Sequence, residues 1–180
     1  SRFAGAHLAE LLEESVGSGR RGLGRSSGWR RGRPGRGAAA QILDLAEQFG
    51  TPLFVYDEEQ LRVRCREAVA AFGPGGASYA TKAFLCVAMA RLAHEEGMKL
   101  DVSTAGEYHI ARTAGVPASA LILHGNNKSV VELERAMAEH ASRIIVDSFD
   151  EMDRIEKLVA DGLPVPTVLI RLTPGIEAHT

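Results

Sequence analysis

Tyr79-Ala80-Thr81-Lys82-Ala83-Phe84 is the stretch on which the fold turns: a short apolar run reads as a strand, and a lysine sits where it gives way to a helix. A lysine at a strand end points into whatever pocket the sheet opens onto. Three later units repeat the arrangement, with polar residues at the same end of an apolar run. They are Asp101-Val102-Ser103-Thr104-Ala105-Gly106-Glu107, His124-Gly125-Asn126-Asn127-Lys128-Ser129 and Asp147-Ser148. Polar groups at the ends of successive strands are how an α/β barrel assembles an active site.

Working outward from Lys82, residues 42–49 read as a helix stopped by Gly50, a common C-terminal signal. Pro52 opens the apolar run Leu53-Phe54-Val55-Tyr56, a strand, and Asp57 caps a helix that reaches residue 72. Gly73-Pro74-Gly75-Gly76 breaks it. Strands at 78–82, 100–103, 121–123, 143–146 and 167–172 then alternate with helices at 84–96, 107–113, 129–140 and 150–160. Six strands in units of about 22 residues mean a parallel sheet with helices outside. The fold expected is α/β, a partial (β/α)8 TIM-type barrel of about six β/α units lacking the final ones. The sequence stops at Thr180 just after a strand, as a truncated barrel would, and it opens on Ser1 rather than methionine, as a processed or cut end would.

An open doubly wound sheet uses the same units. Its dinucleotide-binding version loses its best support, because no Gly-x-Gly-x-x-Gly follows the first strand. Gly73-Pro74-Gly75-Gly76 precedes a strand rather than a helix, the wrong context for a phosphate cradle.

The net charge of −2 conceals a split. Residues 1–37 carry eight arginines against Glu10, Glu13 and Glu14, so the remaining 143 residues carry −7 and offer no nucleic-acid surface. Residues 4–14 fit one short amphipathic helix. Residues 17–37 hold eight glycines and seven arginines with hardly an apolar side chain. Such a stretch buries too little surface to offset its chain entropy and is expected to be disordered. The domain division expected is therefore 1–37, a basic, disordered or foreign segment, and 38–180, the barrel. A linker is favoured over a basic arm for RNA or anionic lipid with Trp29 as a stacking group. Cys65 and Cys86 suggest neither a disulfide framework nor a metal site, and a reducing cytoplasm fits them. No apolar run approaches a membrane span, and no secretory signal opens the chain.

Longer matches carry a resemblance. They are Gly50-Thr51-Pro52-Leu53-Phe54-Val55-Tyr56-Asp57, Tyr79-Ala80-Thr81-Lys82-Ala83-Phe84-Leu85-Cys86, Leu123-His124-Gly125-Asn126-Asn127-Lys128-Ser129, Ile145-Val146-Asp147-Ser148-Phe149-Asp150-Glu151, and Arg171-Leu172-Thr173-Pro174-Gly175-Ile176-Glu177-Ala178-His179-Thr180. Residues 42–180 resemble the diaminopimelate decarboxylases, pyridoxal-phosphate enzymes of the alanine-racemase-like barrel fold. The Tyr-Ala-x-Lys element is shared across that fold, whereas His-Gly-Asn-Asn-Lys-Ser and Thr-Pro-Gly-x-Glu-Ala-His-Thr are more specific to the diaminopimelate branch.

The resemblance implies that Lys82 holds pyridoxal 5'-phosphate as an internal Schiff base, and that meso-2,6-diaminopimelate is decarboxylated to L-lysine. Only an amine stripped of its extra proton attacks an aldehyde, and lysine is the side chain whose surroundings can bring that about. Asp101 and Glu107 match an acidic pair near the cofactor, Arg171 an arginine close to its ring, and His124 faces the same mouth. Helix capping and surface solvation weigh equally for Asp101 and Glu107, a hydrogen-bonded structural histidine does so for His124, and loop shaping is the better reading of Asn126, Asn127 and Ser148.

Ala105-Gly106 stands where the family has two glycines, so a methyl is expected to crowd a turn needing positive φ. Val87 replaces a frequent basic residue. The resemblance places a ring-stacking histidine, a glycine-rich phosphate loop, an acidic partner for the pyridine nitrogen and a C-terminal β domain beyond Thr180. It also implies a homodimer, and that these 180 residues alone are inactive. An ornithine- or arginine-type decarboxylase and a nonenzymatic binding relative are the alternatives; a racemase fits less well.

Overall fold

The computed structural model describes residues 36–172 and Gly175. The amphipathic and Gly/Arg-rich stretches expected before them, and most of the motif after Arg171, lie outside the described residues. Among the described residues two helices come first, α1 (Arg36–Phe49) and α2 (Glu58–Phe72). An alternation follows: β1 (Ser78–Ala80), α3 (Val87–Glu95), β2 (Lys99–Val102), α4 (Ala105–Thr113), β3 (Leu121–Leu123), α5 (Val130–Ala138), β4 (Arg143–Val146), α6 (Phe149–Ala160) and β5 (Val168–Ile170). The chain divides into two units, residues 1–61 and 62–180, and the sheet belongs wholly to the second.

Each repeat is punctuated alike. At the helix starts, Cys86, Thr104, Ser129 and Ser148 are N-caps whose side chains accept from the N–H groups of Met89, Glu107, Glu132 and Glu151. Each cap satisfies a donor that the first turn leaves without a partner. At the helix ends, Gly97, Gly115 and Gly162 adopt positive φ, and the following residues, Met98, Val116 and Leu163, donate back to Ala93, Ala111 and Leu158. This is the left-handed C-terminal motif. Helix α5 ends on His140 instead, with φ 56°.

One expected strand is absent. Leu53-Phe54-Val55-Tyr56 has the apolar composition of a strand, yet it forms no ladder, and Phe54 is 72% exposed. A strand exists only as part of a ladder, and apolar composition alone does not supply one. Among the described residues the sheet has five strands, not six.

All five run parallel in the order β1-β2-β3-β4-β5. A doubly wound sheet reverses its order at a switch point; strictly sequential neighbours are the arrangement of a barrel wall. Burial alternates along β2, β3 and β4 with the pleat. Leu100, Val102, Leu121, Leu123, Ile144 and Val146 are buried, each contributing ~1.5–3 kcal/mol, and α3 and α4 pack against each other and against β2. The opposite face carries Ala80, Asp101, Ile122 and Arg143 in one lateral row. That face presents the candidate site at its carboxyl edge.

Candidate active site

Lys82 lies in a single turn of 3-10 helix, Thr81–Ala83, immediately after β1. Two hydroxyls hold that turn. Tyr79 Oη donates to the Phe84 carbonyl at 2.7 Å, which closes the turn on itself. The buried Thr81 Oγ1 donates to the Asp101 carbonyl at 2.9 Å, which staples it to β2. The Lys82 side chain is exposed and projects from a backbone pinned on both sides.

Asp101 sits on β2 beside Ala80. Its Oδ2 lies 3.2 Å from His124 Nδ1, while its Oδ1 is buried with no hydrogen-bond partner. A carboxylate only accepts, so the proton of a neutral His124 ring belongs on Nδ1 and Nε2 is left as an acceptor. His124 extends β3, its N–H donating to the Val102 carbonyl at 2.8 Å. Gly125 then turns away at φ 107°, where an added Cβ would sit 3.1 Å from the Ser103 carbonyl oxygen. Close approach of two loop backbones is what glycine permits there.

Arg171 is not joined to this cluster. It follows β5, donates its N–H to the Val146 carbonyl and pairs its guanidinium with Asp147 at 3.1 Å. Glu107 takes the capping alternative: its Oε2 accepts from the Ser103 N–H at 2.6 Å. Ser148 is an N-cap, in keeping with a loop-shaping role. The expected strain at Ala105 does not arise, because Ala105 opens α4 and has no positive φ.

Several residues that shape this edge carried no assigned role in the sequence. Lys128 and Glu151 form an ion pair at 2.8 Å with side chains 1% and 4% exposed. Glu151 Oε2 also accepts from the Asp147 N–H at 2.9 Å, and Lys128 donates to the Gly125 carbonyl. Glu132 accepts from the Ser129 N–H and hydroxyl and, across to the start of α4, from the Ala105 N–H at 2.7 Å. Burial pushes the Glu132 carboxyl up, but these bonds from Ser129 and Ala105 outweigh it and hold it below the usual carboxylate range. A signal for the pairings was available. Asp101–His124 and Asp147–Arg171 are separated by 23 and 24 residues, and Lys128–Glu151 is spaced likewise, about one repeat of the chain. Parallel strands in sequential order bring such residues side by side.

Among the described residues no group of three or more His, Cys, Asp or Glu side chains is placed to hold a metal ion, and no helix is long and apolar enough to cross a membrane.

Residues 58–180 match the family model described as pyridoxal-dependent decarboxylase, pyridoxal binding domain. The chain belongs to the pyridoxal-dependent decarboxylases. The diaminopimelate decarboxylase of Mycobacterium tuberculosis (strain ATCC 25618 / H37Rv) is 49% identical over 144 residues, covering 79% of this chain and 32% of the relative. Among solved structures, diaminopimelate decarboxylase from M. jannaschii in complex with L-lysine superposes with a TM-score of 0.65 at 30% identity, over 76% of this chain and 33% of that one. Lysine/ornithine decarboxylase from Vibrio vulnificus with putrescine gives 0.68 at 26%, over 77% and 37%. The chain spans about a third of the length of the curated relatives it matches. The partial-barrel architecture agrees with these pyridoxal-dependent decarboxylases.

The donor set suits the family's cofactor. An amine, a buried carboxylate oxygen without a partner, an imidazole and a guanidinium stand at the carboxyl edges of one parallel sheet. Together they answer an aldehyde, polar ring substituents and an anionic group.

Proposed function

We propose that this chain is the cofactor-anchoring part of a diaminopimelate decarboxylase, the enzyme that converts meso-2,6-diaminopimelate to L-lysine and carbon dioxide. The observation that carries the reading is the 49% identity over 144 residues to enzymes of that name. The pinned turn that carries Lys82, stapled through Thr81 to the Asp101 backbone, and the Asp101–His124 pair support it. In this reading Lys82 is the catalytic residue and the covalent anchor for pyridoxal 5'-phosphate, with Asp101, His124 and Arg171 completing the cofactor-binding set. When bound, the cofactor supplies an electron-accepting ring that takes up the pair released as the α-carboxylate departs.

The protein's own groups position and polarise. Thr81 and Tyr79 fix the backbone from which the Lys82 amine reaches out. Asp101 orients the His124 imidazole through Nδ1 and keeps Oδ1 free as an acceptor. Asp147 holds the Arg171 guanidinium at the same edge.

The test is to mix the purified chain with pyridoxal 5'-phosphate, reduce with borohydride and map the labelled peptide. Label on Lys82, abolished in Lys82→Ala, is expected; a folded but unlabelled chain overturns the anchor. For the substrate, the full-length protein should release carbon dioxide from meso-diaminopimelate at least tenfold faster than from ornithine. The likeness to the Vibrio vulnificus lysine/ornithine decarboxylase favours a second reading as an amine-forming decarboxylase, but at 26% identity it is the weaker support. The proposal includes the homodimer and the cytoplasmic location implied by the resemblance. It also keeps residues 1–37 as a segment apart from the domain at 38–180.

A further inference from the structure

Besides the Lys82 turn after β1, the candidate site draws on the loops after three further strands, and no disulfide ties those loops together. His124 and Gly125 follow β3, Asp147 follows β4 and Arg171 follows β5. Between the first two lies the buried pair Lys128–Glu151, at 2.8 Å with side chains 1% and 4% exposed. Among the described residues these are two of only three buried polar or charged side chains. Taking two charges out of water is costly and rarely adds net stability, so the pair calls for an account beyond holding the fold.

Its bonds supply one. Lys128 Nζ donates to the Gly125 carbonyl, next to His124. Glu151 uses Oε1 for Lys128 and Oε2 for the Asp147 N–H at 2.9 Å. Asp147 in turn holds Arg171 at 3.1 Å. On the far side Arg154 Nη1 donates to the Lys128 carbonyl at 3.0 Å, clamping the loop from α6. An unbroken chain of contacts therefore runs from the backbone beside His124 through Lys128, Glu151 and Asp147 to Arg171.

We propose that Lys128 and Glu151 are positioning residues that set His124 and Arg171 in register across the carboxyl edge of the sheet, and so tune the cofactor site without touching it. The inference rests on the reading of this edge as the pyridoxal phosphate site. A carboxylate suits the task because it accepts twice in fixed directions, once from the ammonium and once from the Asp147 N–H. A buried ammonium suits it because its remaining protons must find acceptors, and the Gly125 carbonyl is one.

The test separates positioning from bulk stability. Replacing a buried ion pair by apolar residues of similar volume is often neutral for folding, whereas removing one partner is not. The double variant Lys128→Met/Glu151→Met in the full 180-residue chain is therefore expected to unfold in urea at the parent's midpoint or above. Its Asp147 amide should exchange hydrogen at least tenfold faster, and pyridoxal 5'-phosphate titrated by absorbance should bind at least tenfold more weakly. Lys128→Met/Glu151→Gln restores an acceptor for the Asp147 N–H and should recover most of both losses. A folded double variant with amide exchange and cofactor affinity within twofold of the parent overturns the proposal.

Should the double variant not fold, the exposed Arg154 decides. Arg154→Ala should speed exchange across residues 124–128 and weaken cofactor binding about threefold at an unchanged urea midpoint, and no change in either overturns the inference. The amide exchange needs no cofactor, so failure of the underlying reading is recognised separately, as absence of borohydride label on Lys82 in the parent chain.

Discussion

His140 is the only described residue other than glycine with positive φ, at 56°. It occupies the position that glycine fills after α3, α4 and α6, and the bonds around it are the same: His140 N–H to Met137 and Ala141 N–H to Ala136. A side chain with a Cβ is strained in that conformation, whereas glycine adopts it freely at some cost in chain entropy. His140→Gly is therefore expected to stabilise the chain by about 0.5–1 kcal/mol, read as a higher urea midpoint with an unchanged slope. A lower midpoint would mean that the exposed imidazole contributes something the backbone geometry does not show. Asp101 is the contrasting case. Its buried, unpartnered Oδ1 is costly in isolation, and in the proposed reading it faces the cofactor rather than closing a turn.

At the scale of elements, helices α4 and α5 are joined by a cluster of charge around one phenol. Arg135 stacks over the Tyr108 ring at 4.8 Å, Arg112 and Arg135 both pair with Glu139, and Tyr108 Oη donates to Glu139 at 3.4 Å. The Tyr108 phenol is pushed up to about 12, by burial first and by the Glu139 charge second. A phenol raised above its unfolded value of about 10 holds its proton more tightly when folded. Its contribution is thus fully present below about pH 10 and is lost as pH rises through the folded value. The urea midpoint should fall across that alkaline window, and the fall should be shallower in Tyr108→Phe; equal slopes would exclude the phenol as its source. On the acid side the sign reverses. The depressed Glu132 carboxyl contributes stability above its unfolded value of about 4.3, lost as pH drops through the folded one. Ser129→Ala, which removes the hydroxyl of that capping box, should cost about 1 kcal/mol near neutral pH and blunt the acid dependence in the same titration.

Across the whole molecule, the sheet is best covered at β2 and β3 and least at β5. Val168, Leu169 and Ile170 are all exposed, and among the described residues β5 has a strand neighbour on one side only. Beside it an apolar groove of about 290 Å³ is lined by Val146, Met152, Ile155, Val159, Val165 and Val168, among others. A flat, apolar, unpaired edge invites pairing with another copy. The 180-residue chain should therefore self-associate with rising concentration in sedimentation velocity. Ile170→Lys should shift it toward monomer, and identical sedimentation of the variant would sink the idea.

What could be read from the sequence alone was whatever depends on near neighbours. The helix stop at Gly50, the cap at Asp57 and the strand-to-helix turn at Lys82 are all decided within about five residues. The physics there is backbone conformation and local hydrogen bonding. The same local pattern misread Leu53-Phe54-Val55-Tyr56, because apolar composition cannot supply a partner strand. The family resemblance overstated the cost of a methyl at Ala105, which begins a helix. Only the tertiary structure decided that Asp101 meets His124, that Asp147 takes Arg171, and that Lys128 and Glu151 are buried together. Those contacts join residues about one repeat apart, and the register of a parallel sheet, set by the packing of every strand at once, brings them within reach.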